Sequence, residues 1–270
     1  MATHISLQLY AVNDALSKDL DGGIARLAEI GFDTVEAFDF VSRPAELKAV
    51  FDRHGITART GHAIFLSTEV ATPDGILGDI PAPAVTFAAA KELGLDVVID
   101  PFVPADRWAT RADVEDTAAR LNAAAKEAAA YGLAVGYHNH DHEFRTQIDG
   151  VTAYEVFAGL LDEGVRLELD LYWATAAGVD VAALLERLGE RVIAVHVKDG
   201  PMREGISTAD LPQDQSPAGQ GDVPLAAAFA AAPALQYAVI EFDHFEGDIF
   251  DGVKQSFDWL TANLGAEVSA

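Results

Sequence analysis

The segment GYHNHDHEF, Gly136 to Phe144, sets three of the chain's eight histidines beside an asparagine, an aspartate and a glutamate within nine residues. Histidine near neutral pH is both a metal ligand and a proton carrier, and neighbouring carboxylates can share either task. Related groups recur downstream inside short apolar runs: Asp170 in LELDLYW, His196 and Lys198 in AVHVKDG, Glu241 and Asp243 in VIEFD. Strand alternation would set Leu169 and Leu171 opposite Asp170, and Val195 and Val197 opposite His196, so that each polar side chain turns one way and its neighbours the other. Oxygen and nitrogen ligands from separate strands can converge on one divalent cation, Mn2+, Co2+, Mg2+ or Zn2+, and the chain has no cysteine to favour a softer metal or an iron–sulfur cluster. His138, Asp170, His196 and Glu241 are the expected ligands. As ordinary core residues, Asp170, His196 and Glu241 would each be desolvated without a partner.

Such residues need a scaffold that brings distant segments together, and the chain repeats a suitable unit. In EIGFDTVEAF, RHGITARTGH, ELGLDVVIDP, YGLAVGYHNH and DEGVRLELDLYW a helical pattern ends at a glycine and a β-rich run follows at once. THISLQLY, RVIAVHVKD and LQYAVIEFD complete eight strand candidates. Helical patterns lie between them at 15–30, 44–54, 82–93, 112–131, 151–162, 180–190, 223–232 and 248–264, with Pro44, Pro81 and Pro224 near three of the starts. Eight alternating units in 270 residues predict an α/β fold, a single (β/α)8 TIM barrel over 1–270, with a short tail at 265–270 expected to be flexible.

In that barrel chemistry gathers at the carboxyl ends of the strands. The ends fall near Gln8 and Tyr10, then at Glu36, His62, Asp100, His138, Asp170, His196 and Glu241. Six of the eight histidines, at 62, 138, 140, 142, 196 and 244, lie at or just beyond a strand end, a selection that scattered surface residues would not make.

Composition limits the partners. Half of the chain is apolar, enough for a large core. With 18 basic against 43 acidic residues the net charge is -25, which opposes binding to nucleic acid or an anionic membrane. The opening MATHISLQLY lacks a basic region followed by an apolar run, and no stretch reaches the ~18 apolar residues of a membrane span. A cytoplasmic enzyme acting on a small molecule is the expectation, with a homo-oligomer left open.

Read in order, QLYAV, GYHNHDHEF, LELDLYWATAAGVD, VHVKDG, GQGDV and VIEFD resemble the xylose isomerase-like TIM-barrel superfamily of sugar isomerases and epimerases, nearest to its branch with an HNH-type fifth strand. The resemblance implies one divalent metal, Mn2+ foremost, held by one ligand from each of strands five to eight, which fall on His138, Asp170, His196 and Glu241. Ketose epimerases of the superfamily carry a glutamate on strand five that also shares proton transfer; here His138 stands in its place, and Glu143 or His140 would supply the missing proton carrier. The implied reaction abstracts a proton beside a carbonyl through an enediolate. Glu241 would be the base, Glu143 or His140 its partner on the opposite side, and Lys198 would neutralise or protonate an oxygen. Trp173 and Tyr10 would stack on a sugar or keto-sugar, and Gln8, Glu36 and His62 would hydrogen-bond its hydroxyls. A metal-dependent lyase, acting as a keto-inositol dehydratase or on a 3-keto-glycoside, is the alternative, because a histidine suits protonation of a leaving group. DNA-repair endonucleases of the superfamily use a trinuclear zinc site and a basic face, which the charge of -25 opposes.

Plainer roles compete at several positions. Lys198 and Asp199 would form a structural pair, His142 and His244 would be rim residues, and Gly219 and Gly221 would shape a turn rather than a phosphate cradle.

Overall fold

Eight parallel strands form one sheet: β1 His4–Leu7, β2 Thr34–Ala37, β3 Thr57–His62, β4 Val97–Asp100, β5 Ala134–His138, β6 Arg166–Asp170, β7 Val192–Val197 and β8 Tyr237–Ile240. This computed structural model describes residues 3–264 other than 73, 74, 78, 79 and 233, so the expected tail at 265–270 lies outside the described residues. In space the strands run β1, β8, β7, β6, β5, β4, β3, β2. The ring is brought almost to closure by a parallel bridge between Gln8 and Glu36, where Gln8 Nε2 also donates to Glu36 Oε1 at 2.8 Å. The principal helices that alternate with the strands are α1 Leu20–Ile30, α2 Pro44–His54, α3 Pro83–Leu93, α4 Arg111–Ala128, α5 Ala153–Leu160, α6 Val181–Leu188, α7 Leu225–Ala231 and α8 Ile249–Asn263. The fold is the predicted TIM barrel. Among the described residues no helix is long and apolar enough to cross a membrane.

Local chemistry explains the boundaries. Gly55, at φ 68°, and Gly132, at φ 80°, take the left-handed conformation that ends a helix and turns the chain into the next strand. The helical pattern expected at 15–30 is split, because the Asp19 carboxylate accepts from the Gly22 N–H and starts α1 afresh after the short helix Asn13–Leu16. Strand β6 likewise ends one residue before Leu171. Asp170 caps the helix Leu171–Ala176 by accepting from the Trp173 N–H at 2.8 Å, so Leu171 is helical rather than a strand neighbour facing away from Asp170.

The amino end of the barrel interior is apolar, filled by Val97, Ile99, Ile193, Ala194 and Val239. A larger apolar shell joins the outside of the sheet to the helices. Within it Tyr137 packs on Trp108 and Phe157 with ring centroids 5.4 and 5.1 Å away, each ring buried to the extent that contributes roughly 2 kcal/mol or more. Because neighbours on a strand alternate, this anchoring of Tyr137 outside the barrel directs His138 inside.

The connection from β7 to α7 is shaped by Asp199. Its carboxylate accepts from the backbone N–H groups of Gly200, Gly219, Gly221 and Val223 at 2.9, 2.8, 3.0 and 3.1 Å. The GQGDV segment is thus a turn wrapped around a carboxylate of its own chain, and a Cβ at Gly221 would fall 2.2 Å from Gly200 N. Lys198 and Asp199 do not pair with each other, since adjacent residues point to opposite sides. The same connection reaches over the barrel mouth: Asp141 accepts from Thr208 Oγ1 at 2.7 Å on the β5 side, and Gln215 Nε2 donates to Asp243 Oδ2 at 2.8 Å on the β8 side.

Candidate metal centre at the barrel mouth

The last inward positions of β5, β6 and β7, together with the first residue after β8, meet at the carboxyl end. Strand register sets Asp170 beside His196 and Glu168 beside His138. His138, Asp170, His196 and Glu241 each offer a ligand atom, and these atoms lie within 4.8 Å of one another. His138 Nε2 is 3.7 Å from Asp170 Oδ2, and His196 Nδ1 is 2.7 Å from Glu241 Oε2. Lys198 Nζ stands beside them, 3.1 Å from Asp170 Oδ2, 2.8 Å from Glu241 Oε2 and 3.0 Å from Asp243 Oδ1.

A second set beneath joins His62, His138, Glu168 and His196 within the same 4.8 Å limit. Glu168 is the residue that the sequence reading missed. The signal was present, because Glu168 lies two positions before Asp170 in LELD and therefore on the same strand face. Gln8 and Glu36 complete this floor: Glu36 Oε1 accepts from Gln8 and lies 3.0 Å from His62 Nε2 and 2.8 Å from His196 Nε2.

The electrostatics follow from burial and charge. Burial would raise the pKa of Glu241, but Lys198 and His196 outweigh it and hold the carboxyl well below its usual range. Asp170 is pushed up to about 6 by burial, with Lys198 pulling the other way. Burial, reinforced by the charge of His196, keeps His138 neutral with a lone pair to offer. His196 shows the opposite balance, burial being overcome by Glu168 and Glu241, and its pKa rises well above the usual value. His62 is raised to about 9 because Glu36 and Glu168 overcome burial in the same way.

This donor set fits a divalent cation. Imidazole and carboxylate groups alternate around one point, which suits Zn2+, Mn2+ or Co2+. Glu36, Glu168, Asp170 and Glu241 are all buried, and Lys198 with the protonated His62 and His196 offsets their charge, so a cation would take the place of protons on these groups. Asp170 Oδ2 has no hydrogen-bond partner among the described residues, and Lys198 approaches it as an ion pair without hydrogen-bond geometry.

Residues 24–263 match the model of the xylose isomerase-like TIM barrel. The chain belongs to that family. Among solved structures it is similar to a sugar phosphate isomerase/epimerase from Parabacteroides distasonis, at 21% identity and TM-score 0.77 over 100% of this chain and 96% of that one. It is also similar to an IolI protein with a bound zinc atom, at 15% identity and TM-score 0.70 over 97% and 98% of the two chains. A 3-keto-D-glucoside 4-epimerase from E. coli resembles it at 17% identity and TM-score 0.69 over 96% and 99%. At these identities the likeness is one of fold. No curated protein matched the sequence.

Within this xylose isomerase-like barrel the remaining expected site residues are placed unevenly. His140 packs edge-on against His138, with ring centroids 5.2 Å apart, and its Nδ1 has no hydrogen-bond partner among the described residues. Burial, together with Lys198, keeps it neutral. Glu143 is not brought to the cluster: Tyr137 donates its hydroxyl to Oε1 at 2.7 Å, and the His140 N–H donates to Oε2 at 2.9 Å. It follows Tyr137 to the outside of the barrel. Trp173 is buried beside the mouth, its ring centroid 5.7 Å from Lys198 Nζ. Tyr10 is 45% exposed and meets Phe38 edge-on at 5.2 Å, while Gln8, Glu36 and His62 lie in the floor with their polar groups joined. His142 Nε2 contacts the Val103 carbonyl at 3.0 Å.

Proposed function

We propose that the protein is a divalent-metal-dependent isomerase or epimerase of a small sugar or keto-sugar. The observation that carries this reading is the convergence of His138, Asp170, His196 and Glu241, one from the end of each of four successive strands, within 4.8 Å at the barrel mouth. Those residues would hold the cation, Mn2+ being the first to try. When bound, the ion supplies Lewis-acid polarisation of a substrate carbonyl. Glu241, kept ionised by Lys198 and His196, takes the proton from the carbon beside that carbonyl and leaves an enediolate. Lys198 is a fixed positive charge for the oxygen on which negative charge develops. His140, neutral and with a free ring nitrogen, is the proton carrier on the other side, a role for which Glu143 is poorly placed. Tyr10, exposed at the rim, offers a ring for a sugar face, while Trp173 is fully buried beside Lys198 and His140.

A lyase reading of the same cluster draws on one feature: His138 and His140, not carboxylates, stand at the fifth strand, and an imidazole suits protonation of a leaving group. The two readings part on products. The protein, loaded in turn with Mn2+, Co2+, Mg2+ and Zn2+, is incubated in D2O with unphosphorylated ketoses and 3-keto-glycosides. Isomerisation or epimerisation incorporates deuterium beside the carbonyl with the carbon skeleton and its substituents intact. Elimination releases water or the aglycone. The absence of both exchange and elimination with every one of these ions would overturn the proposal.

A further inference from the structure

The set His62, His138, Glu168 and His196 admits two explanations: a second cation, or a carboxylate hub that orients the histidines of the first set. The contacts of one oxygen decide between them. Glu168 Oε2 lies 2.6 Å from His62 Nε2 and 3.1 Å from His138 Nδ1 as hydrogen bonds, and 3.1 Å from His196 Nε2 as an ion pair. A carboxylate oxygen thus stands among all three imidazoles, an arrangement that the first set does not have. Glu36 Oε1 adds a second acceptor 2.8 Å from His196 Nε2.

An imidazole that donates from one nitrogen presents a lone pair at the other. With His138 Nδ1–H directed to Glu168, its Nε2 faces Asp170 Oδ2; His196 Nε2–H is directed to Glu36, with Glu168 beside it, and the Nδ1 proton that His196 shares with Glu241 Oε2 is the one a cation would displace. We infer that Glu168 is a positioning residue, seconded by Glu36, which sets the tautomers of His138 and His196 so that both remaining nitrogens point at the candidate cation site. The inference rests on the metal reading of that site. Register supports it, since Glu168 is the direct strand partner of His138. Burial supports it too. Glu168 is inaccessible to a substrate and Oε1 has no hydrogen-bond partner among the described residues, so the imidazoles are what compensate a carboxylate in a position that a leucine would fill at less desolvation cost.

The test uses the whole protein and its Glu168→Leu and Glu168→Gln variants. Zn2+ affinity is measured by competition with a chelator, Zn2+ stoichiometry by elemental analysis, and histidine tautomers by long-range 1H–15N correlation with and without Zn2+. Expected are one ion per parent chain, His138 as the Nδ1–H form with and without Zn2+, and His196 protonated at both nitrogens without Zn2+ and as the Nε2–H form with it. Glu168→Leu should weaken Zn2+ binding on the order of 10–100-fold and mix the tautomers, while Glu168→Gln, which keeps an acceptor oxygen, recovers part of the affinity. Unchanged tautomers and affinity in Glu168→Leu, against a parent that binds one ion, would overturn the inference. So would two ions per parent chain with one lost in the variant, which is the result for a second cation. A parent that binds no ion sinks the metal reading separately, and the hub is then judged on the metal-free tautomer of His138 alone. Should Glu168→Leu fail to fold, Glu168→Gln carries the same comparison.

Discussion

Inside the barrel, Ala194 and Val239 belong to an apolar plug at the amino end, whereas His196 and Glu241, two residues further along the same strands and on the same face, belong to a charged cluster. About 7 Å of strand separates the two environments. The plug stabilises the fold in the ordinary way, each buried aliphatic side chain contributing roughly 1.5–3 kcal/mol. The cluster does the reverse, because each buried ion has a desolvation cost of several kcal/mol unless its partners are well placed. One barrel therefore divides its labour by depth: the amino end holds the strands in register, and the carboxyl end uses that rigidity to keep like charges together.

Two substitutions probe this division. The larger effect is expected at Lys198, whose ammonium balances Asp170, Glu241 and Asp243 while burial works against its charge. Lys198→Met fills similar space and leaves those carboxylates without their cation, so urea denaturation of the metal-free protein should show a loss of about 3–5 kcal/mol. A loss below ~1 kcal/mol would mean that the carboxylates are protonated or hydrated instead. The smaller effect is expected at the plug, where Ile99→Val removes one methylene and should cost about 0.5–1.5 kcal/mol without changing metal affinity. A change in affinity there would show that the two ends are coupled rather than divided.

Much of this arrangement was legible in the residues. Glycine-terminated helices followed by apolar runs predicted five of the eight alternating units and three further β-rich runs the rest, and alternation within AVHVKDG correctly turned His196 inward. What escaped were facts about direction beyond a strand's end. Glu143 follows His138 closely in sequence, yet it is carried outward to the Tyr137 hydroxyl, and sequence proximity holds no record of that turn. Glu168 is masked in the sequence by Asp170 at the strand end, although the same alternation places both on one face. Lys198 and Asp199 are consecutive and serve different tasks, one among the carboxylates of the mouth and the other inside the turn that follows β7. Alternation finds faces; it does not find the partners that a fold brings from distant strands.

The central claim, that four strand ends form a cation site, is tested most directly by metal analysis of the parent protein beside Asp170→Ala and Glu241→Ala. The account predicts about one Mn2+, Co2+ or Zn2+ ion per parent chain, lost from both variants while each still melts cooperatively. An ion retained equally by both variants, or no binding by the parent on titration with any of the three metals, would contradict it.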